Sequence, residues 1–163
     1  MKASFQTYGA LLLIAVLAGG CLTPLNARRP REEAMEQSRV QQRLSEIFDA
    51  AAKKDMPRLD SYHLYGPDFT KFSGGESGRL DYASALEEEH QCLTAVNGLT
   101  MQAQDLKVDV FGNVAVATFI LDYGFQNGAE RVEKKNRSTL VLVKAQGEWK
   151  IVHEHFSPFK ASP

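Results

Sequence analysis

Trp149-Lys150-Ile151-Val152-His153-Glu154-His155-Phe156-Ser157 is the stretch on which the reading of this chain turns. Gln146-Gly147 just ahead of it is a two-residue turn of the kind that enters a tight hairpin, so the stretch is expected to be a β-strand. Side chains alternate across a strand. Trp149, Ile151, His153, His155 and Ser157 should therefore share one side, and Lys150, Val152, Glu154 and Phe156 the other. An indole and two imidazoles in one row suggest the wall of a pocket.

Working towards the N-terminus, everything beyond Leu99 has strand character: Met101 to Phe111, Val114 to Gln126, Ala129 to Lys144 and Glu148 to Ser157. Gly112-Asn113, Asn127-Gly128 and Gln146-Gly147 divide them, which predicts a four-stranded antiparallel meander. Alternation slips near Gln104-Asp105, where a bulge would curve the sheet. Pairing across these turns places Tyr123 opposite Val132, Phe119 opposite Asn136, Leu140 opposite His153 and Ser138 opposite His155. One face then collects Phe119, Leu121, Tyr123, Phe125, Leu140, Leu142, Trp149, Ile151, His153 and His155. The other collects Val114, Val116, Asp122, Arg137, Lys150, Val152 and Glu154. The first is the more apolar and should pack on helices.

Those helices come earlier in the chain. Val40, Leu44, Ile47, Phe48 and Ala51 recur at helical spacing between Arg31 and Lys54. Asp55 can cap a short second helix carrying Leu59 and Tyr62 inward, and Asp81 a third carrying Tyr82, Leu86 and Leu93. Phe69 to Phe72 reads as a brief strand between them. Helices first and antiparallel strands afterwards make the fold class α+β.

The N-terminus reads differently. Ala10 to Ala18 is too short to cross a hydrocarbon core of roughly 30 Å, but it suits the apolar region of a secretory signal. Gly19-Gly20-Cys21 closes it. Small residues before a cysteine resemble the lipoprotein signal, in which Cys21 is acylated and becomes the first mature residue; ordinary cleavage is the alternative. The division is then a signal over 1–20, a tether over 21–30 and one domain over 31–160. The expected location is the bacterial cell envelope, lipid-anchored on the periplasmic side, and the outer membrane in a Gram-negative cell.

With 19 Lys and Arg against 20 Asp and Glu, the formal charge of -1 offers no field to hold nucleic acid, and the compact basic cluster Arg28, Arg29 and Arg31 falls in the tether and at its junction with the domain. The two cysteines provide no disulfide framework once Cys21 is acylated, and Cys92 reads as a small packed residue. No phosphate-binding glycine loop or zinc-type cysteine spacing is present, so no cofactor and no metal are expected.

Val110-Phe111-Gly112-Asn113-Val114-Ala115-Val116-Ala117, followed by the Trp149 to Ser157 strand, resembles the SnoaL-like branch of the nuclear transport factor 2-like superfamily. More distantly it resembles the association domain of calcium/calmodulin-dependent protein kinase II. The resemblance implies a cone of three N-terminal helices packed on a curved antiparallel sheet. In that association domain, arginines on two strands line an anion-accepting pocket; an ungapped match puts Leu121 and Leu140 there, which argues against an anionic ligand held in that way. The superfamily includes cyclases, isomerases and dehydratases as well as binding and oligomerising domains, so the fold does not choose a function.

The expected ligand pocket consists of Tyr62, Tyr82, Phe119, Leu121, Tyr123, Ser138, Leu140, Trp149, His153 and His155. His153 or His155 could be a structural core imidazole, a ligand contact, or a general base with a tyrosine donating to a developing oxyanion. Two functions stay open. One is a lipid-anchored envelope protein whose cone binds a small, mostly apolar molecule or serves as a dimerisation module. The other is a cyclase, isomerase or hydrolase acting on a hydrophobic carbonyl compound through a pocket histidine. Val114, Val116, Val141 and Val152 on the outer face suggest a homodimer through the sheet.

Overall fold

The computed structural model describes residues 30–74 and 78–159; the signal, Cys21 and the tether up to residue 29 lie outside them. Helix α1 (Pro30–Lys53) buries Val40, Leu44, Ile47, Ala50 and Ala51 along one stripe, as the spacing predicts. Asp55 caps α2 (Met56–Ser61) by accepting from the Arg58 amide, with Pro57 tolerated in the first turn. Asp81 caps α3 (Tyr82–Ala95) by accepting from the Ser84 amide. This third helix buries only Ala85, so it covers the fold loosely. Tyr82, expected inward, is 44% exposed on its first turn.

The sheet has the order β1-β5-β4-β3-β2 and contains β1 (Thr70–Phe72), β2 (Asn97–Phe111), β3 (Val114–Asn127), β4 (Glu130–Ala145) and β5 (Glu148–Pro158). The four long strands form the expected meander, and β1 adds to β5 in parallel. The expected bulge is present in β2: the register shifts between Gln104 and Lys107, and Asp105 takes a φ of 52°. The β3–β4 turn is Gly128-Ala129 rather than Asn127-Gly128. Tyr123 therefore faces Lys134, and Phe119 faces Ser138. A slip of this kind moves each pairing by two residues, which preserves the faces.

The decisive departure is a second bulge, in β5. Leu142 pairs with Ile151, but Val141 pairs with His153, leaving Val152 without an opposite residue. One extra residue reverses every side chain beyond it. Trp149 and Ile151 point inward as expected, while Glu154 turns into the core at 4% exposure and His155 is exposed. The expectation that His153 and His155 share the inner face with Trp149 is thus corrected, as is the placing of Glu154 outside. The bulge falls where β5 changes edge partner. Before it, Leu64 and Tyr62 exchange backbone hydrogen bonds with Ile151 at 2.8 and 2.9 Å; after it, Thr70 pairs with His153.

The two ends of the interior are chemically different. Near the start of α1, the Trp149 indole donates to Glu36 Oε2 at 3.0 Å and Lys144 Nζ donates to Glu36 Oε1 at 2.8 Å. The Lys144 hydrogen bond, opposed by burial and helped by Trp149, holds the Glu36 carboxyl below its usual range. This end is closed and fastened. The other end, beneath α3, holds a cavity.

Candidate functional site

The cavity has a volume of about 430 Å³ and lies between α1, α3 and the inner face of the sheet. Ile47 and Phe48 from α1, Leu93 from α3, and Met101, Phe119 and Leu121 from the sheet give it an apolar wall. These positions follow from periodicity: the α1 residues extend the buried stripe, and the strand residues occupy alternate inward sites. Tyr123 and Asn136 add polar atoms to the same wall, and burial raises the Tyr123 hydroxyl above its ordinary range.

Across from this apolar surface is an ionic wall assembled from four segments. The segment after α2 supplies His63 and Tyr65, β1 supplies Lys71, α3 supplies Glu88 and Glu89, and β5 supplies Glu154 through the Val152 bulge. Lys71 and Glu154 are 5% and 4% exposed and pair at 3.3 Å; Lys71 also reaches Glu88 at 3.0 Å. His63, 6% exposed, places Nδ1 3.1 Å from the Leu59 carbonyl oxygen and Nε2 3.3 Å from Glu154 Oε1. Its ring stacks on Tyr65 with centroids 4.8 Å apart, and the Tyr65 hydroxyl donates to Glu89 Oε2 at 3.2 Å.

The protonation states follow from these contacts. A carbonyl oxygen only accepts, so His63 Nδ1 carries a hydrogen; Nε2 faces a carboxylate and must carry one too when Glu154 is ionised. Burial opposes this imidazolium, yet the Glu154 hydrogen bond and charge outweigh it and raise His63 above its ordinary value. Burial would likewise lift Glu154, but the charge of Lys71 and the contact with His63 hold it down. Glu89 behaves oppositely. Burial first and the negative Glu154 second raise its carboxyl, against the pull of His63 and Lys71, so it retains a proton where an ordinary glutamate has lost it. The wall therefore combines an ion network with one carboxyl on the cavity whose proton is held more tightly than that of an ordinary glutamate.

Of the residues expected to form the pocket, Phe119, Leu121, Tyr123 and Leu140 line it. Trp149 is buried at the fastened end, on Glu36. Tyr62 is buried with Arg43 4.6 Å over its ring and its hydroxyl accepting from Arg58 Nε at 2.7 Å, away from the cavity wall. Ser138 is buried on the inner face but outside the lining, and its hydroxyl has no partner among the described residues. Tyr82 lies at the surface. His153 bonds Thr70 Oγ1 through Nδ1 at 2.8 Å, and His155 joins Arg137 and Ser157 in a shallow groove on the outer face. Neither histidine reaches the cavity.

Sequence reasoning missed His63, Tyr65, Lys71, Glu88 and Glu89 entirely. The first of these had no neighbour at ligand spacing, because its partners come from β1, α3 and β5. His63 Nε2 and carboxylate oxygens of Glu89 and Glu154 converge within 4.8 Å of one another, a spacing compatible with a shared cation.

Residues 40–161 match the family described as the SnoaL-like domain. Among solved structures, a candidate dehydratase of the NTF2-like family from Streptomyces avermitilis superposes with a TM-score of 0.73 at 17% identity, covering 79% of this chain and 99% of that one. An NTF2-like superfamily protein from Salmonella enterica gives 0.69 at 16% identity over 80% and 95%. The association domain of the C. elegans calcium/calmodulin-dependent kinase II gives 0.64 at 19% identity over 77% and 98%. At these identities the likeness is one of fold. No curated protein matches the chain. With its cone and curved sheet, and with the family match spanning most of its length, the chain belongs to the SnoaL-like domain family.

Proposed function

We propose that the cone binds a small, mostly apolar molecule bearing a hydrogen-bonding group, in an envelope protein held to the membrane through Cys21. The observation that carries the binding reading is the cavity: about 430 Å³, apolar on the α1 and sheet sides, with polar groups converging on one wall. Ligand sites share this pattern, in which apolar walls supply affinity and a few polar atoms fix orientation. A ligand oxygen would meet the Glu89 carboxyl or the Lys71 ammonium. Support for the anchor is the Gly19-Gly20-Cys21 sequence. Mass spectrometry of small molecules released from the purified protein tests the reading, with Leu121→Trp as the filled-cavity control. A species lost in the folded Leu121→Trp form is expected; an identical inventory from both proteins would refute it.

Glu89 favours a second reading, acid–base catalysis on a hydrophobic carbonyl compound. A carboxyl whose pKa is raised inside an apolar cavity is suited to moving a proton next to a carbonyl, and Glu89 faces the cavity directly. Solvent-deuterium exchange at the carbon beside the carbonyl of a bound hydrophobic ketone, followed by NMR, is its assay. Exchange that persists at the same rate in Glu89→Gln removes the reading.

A further inference from the structure

We infer that His63, Glu89 and Glu154 form a site for a divalent transition-metal ion, opening onto the cone. This inference goes beyond the binding of an apolar molecule and does not depend on it.

The geometry begins with the imidazole. His63 Nδ1 is committed to the Leu59 carbonyl at 3.1 Å, so Nε2 is the atom left to coordinate, and it points at Glu154 Oε1 3.3 Å away. Only a proton or a cation can lie between a ring-nitrogen lone pair and a carboxylate oxygen. The other Glu154 oxygen is held by Lys71 at 3.3 Å, which leaves Oε1 for an ion. Glu89 contributes the third donor, its Oε2 fixed by the Tyr65 hydroxyl at 3.2 Å. The donor atoms lie within 4.8 Å of one another. Each ligand therefore has its own orienting partner, namely Leu59 O, Lys71 and Tyr65, the arrangement that metal ligands require of their surroundings. Glu89 and Glu154 line the cavity, so an ion can enter from the cone and keep a position free for water or ligand.

Charge is compatible with this placement: Lys71 and a divalent ion together carry three positive charges against the three carboxylates of Glu88, Glu89 and Glu154 that surround them. One nitrogen and two carboxylate oxygens suit zinc or manganese better than a softer metal.

The test is isothermal titration of the chelator-treated protein with Zn²⁺ alone. One ion per chain is expected. Glu89→Gln should weaken binding by ~10-fold or more, since losing a ligand costs at least as much as losing its orienting partner. Tyr65→Phe should weaken it by a smaller factor, and the double His153→Ala/His155→Ala variant should bind like the parent. Should Glu89→Gln fail to fold by circular dichroism, Tyr65→Phe decides. Absence of binding, affinity unchanged in folded Glu89→Gln and in Tyr65→Phe, or affinity lost in the double histidine variant would each overturn the site.

Discussion

Removing metal and raising the pH from 6.5 to about 8 should destabilise the protein through His63, and Glu89→Gln should flatten the fall at every pH where Glu89 still holds its proton. Three groups on the ionic wall set the sign. Glu89 is raised above its ordinary 4.5, so above that pH the folded state holds a proton that the unfolded chain has released, and stability falls until the folded value is passed. His63 is raised above 6.5; its stabilising contribution is fully present below that pH and is lost as pH rises through the folded value. Glu154 is held below 4.5 and contributes above that value, losing its contribution only as pH falls further. The Glu89 contribution therefore begins to fall above 4.5 and the His63 contribution above 6.5. Each group, between its unfolded and folded values, contributes a slope of at most about 1.4 kcal/mol per pH unit, and above 6.5 the slope is that of His63. His153, lowered by burial and by His155, acts in the opposite sense only below its ordinary 6.5, so the window above it is clean.

Urea unfolding followed by circular dichroism, at several pH values in the presence of chelator, measures this directly through the midpoint. A fall of up to about 1.4 kcal/mol per pH unit is measurable against a domain stability of about 5–15 kcal/mol. Glutamine keeps the shape of Glu89 and cannot ionise, so the Glu89→Gln profile should lose about half the slope where both groups contribute. A stability that stays flat or rises between pH 6.5 and about 8 would show that the wall is not protonated as its contacts require. An unchanged slope in Glu89→Gln would acquit Glu89.

Glu154→Gln should cost about 3–5 kcal/mol by leaving Lys71 and His63 without their shared anion, whereas His155→Ala should change stability by no more than about 0.5 kcal/mol; equal costs in urea unfolding would contradict the β5 bulge. A homodimer through the outer sheet face is expected from half-buried Val116, Val141 and Val152 beside exposed Val114. Val116→Asp should give a monomer in light scattering at micromolar concentration, and a parent protein that is already monomeric there counts against the interface. Cys21→Ser should move the protein out of the membrane fraction, and an intact mass showing unmodified Cys21 in the parent would exclude the anchor.

The helices, their two aspartate caps and the meander were legible because each depends on local pattern: a stripe of five apolar residues in α1, a cap at Asp55 and Asp81, glycine-bearing turns between strands. The site was not, and one residue accounts for much of the failure. The apolar phase of β5 runs through Trp149 and Ile151 but resumes at Phe156, an odd-to-even change that strict alternation cannot produce. That change marks the Val152 bulge. Reading through it puts two histidines in the cone and Glu154 in solvent, the reverse of what is found. The remaining members of the wall could not be joined from sequence, because His63, Lys71, Glu88 and Glu154 meet only after β1 has paired in parallel with β5 and α3 has closed over it. A charged side chain such as Lys71 within a short apolar strand was the available local signal.

Why the interior carries such a wall at all separates structure from function. At the fastened end, Glu36 satisfies Trp149 and Lys144 and ties α1 to the sheet, which is a packing role complete in itself. The ionic wall makes a poor fastener by comparison. Burying His63, Lys71 and Glu154 carries a desolvation cost that well-packed apolar side chains would avoid, so such a network is weak as a source of stability. Its members also border open volume: Lys71, Glu88, Glu89 and Glu154 all line the cavity, where an apolar fold would be expected to close. Glu89 is the clearest case, since it sits on the loosely packed α3 and its carboxyl is raised by burial first and by the negative Glu154 second. Groups placed at a cost in stability, oriented by dedicated partners and facing the apolar cavity support the reading of that cavity as a binding site.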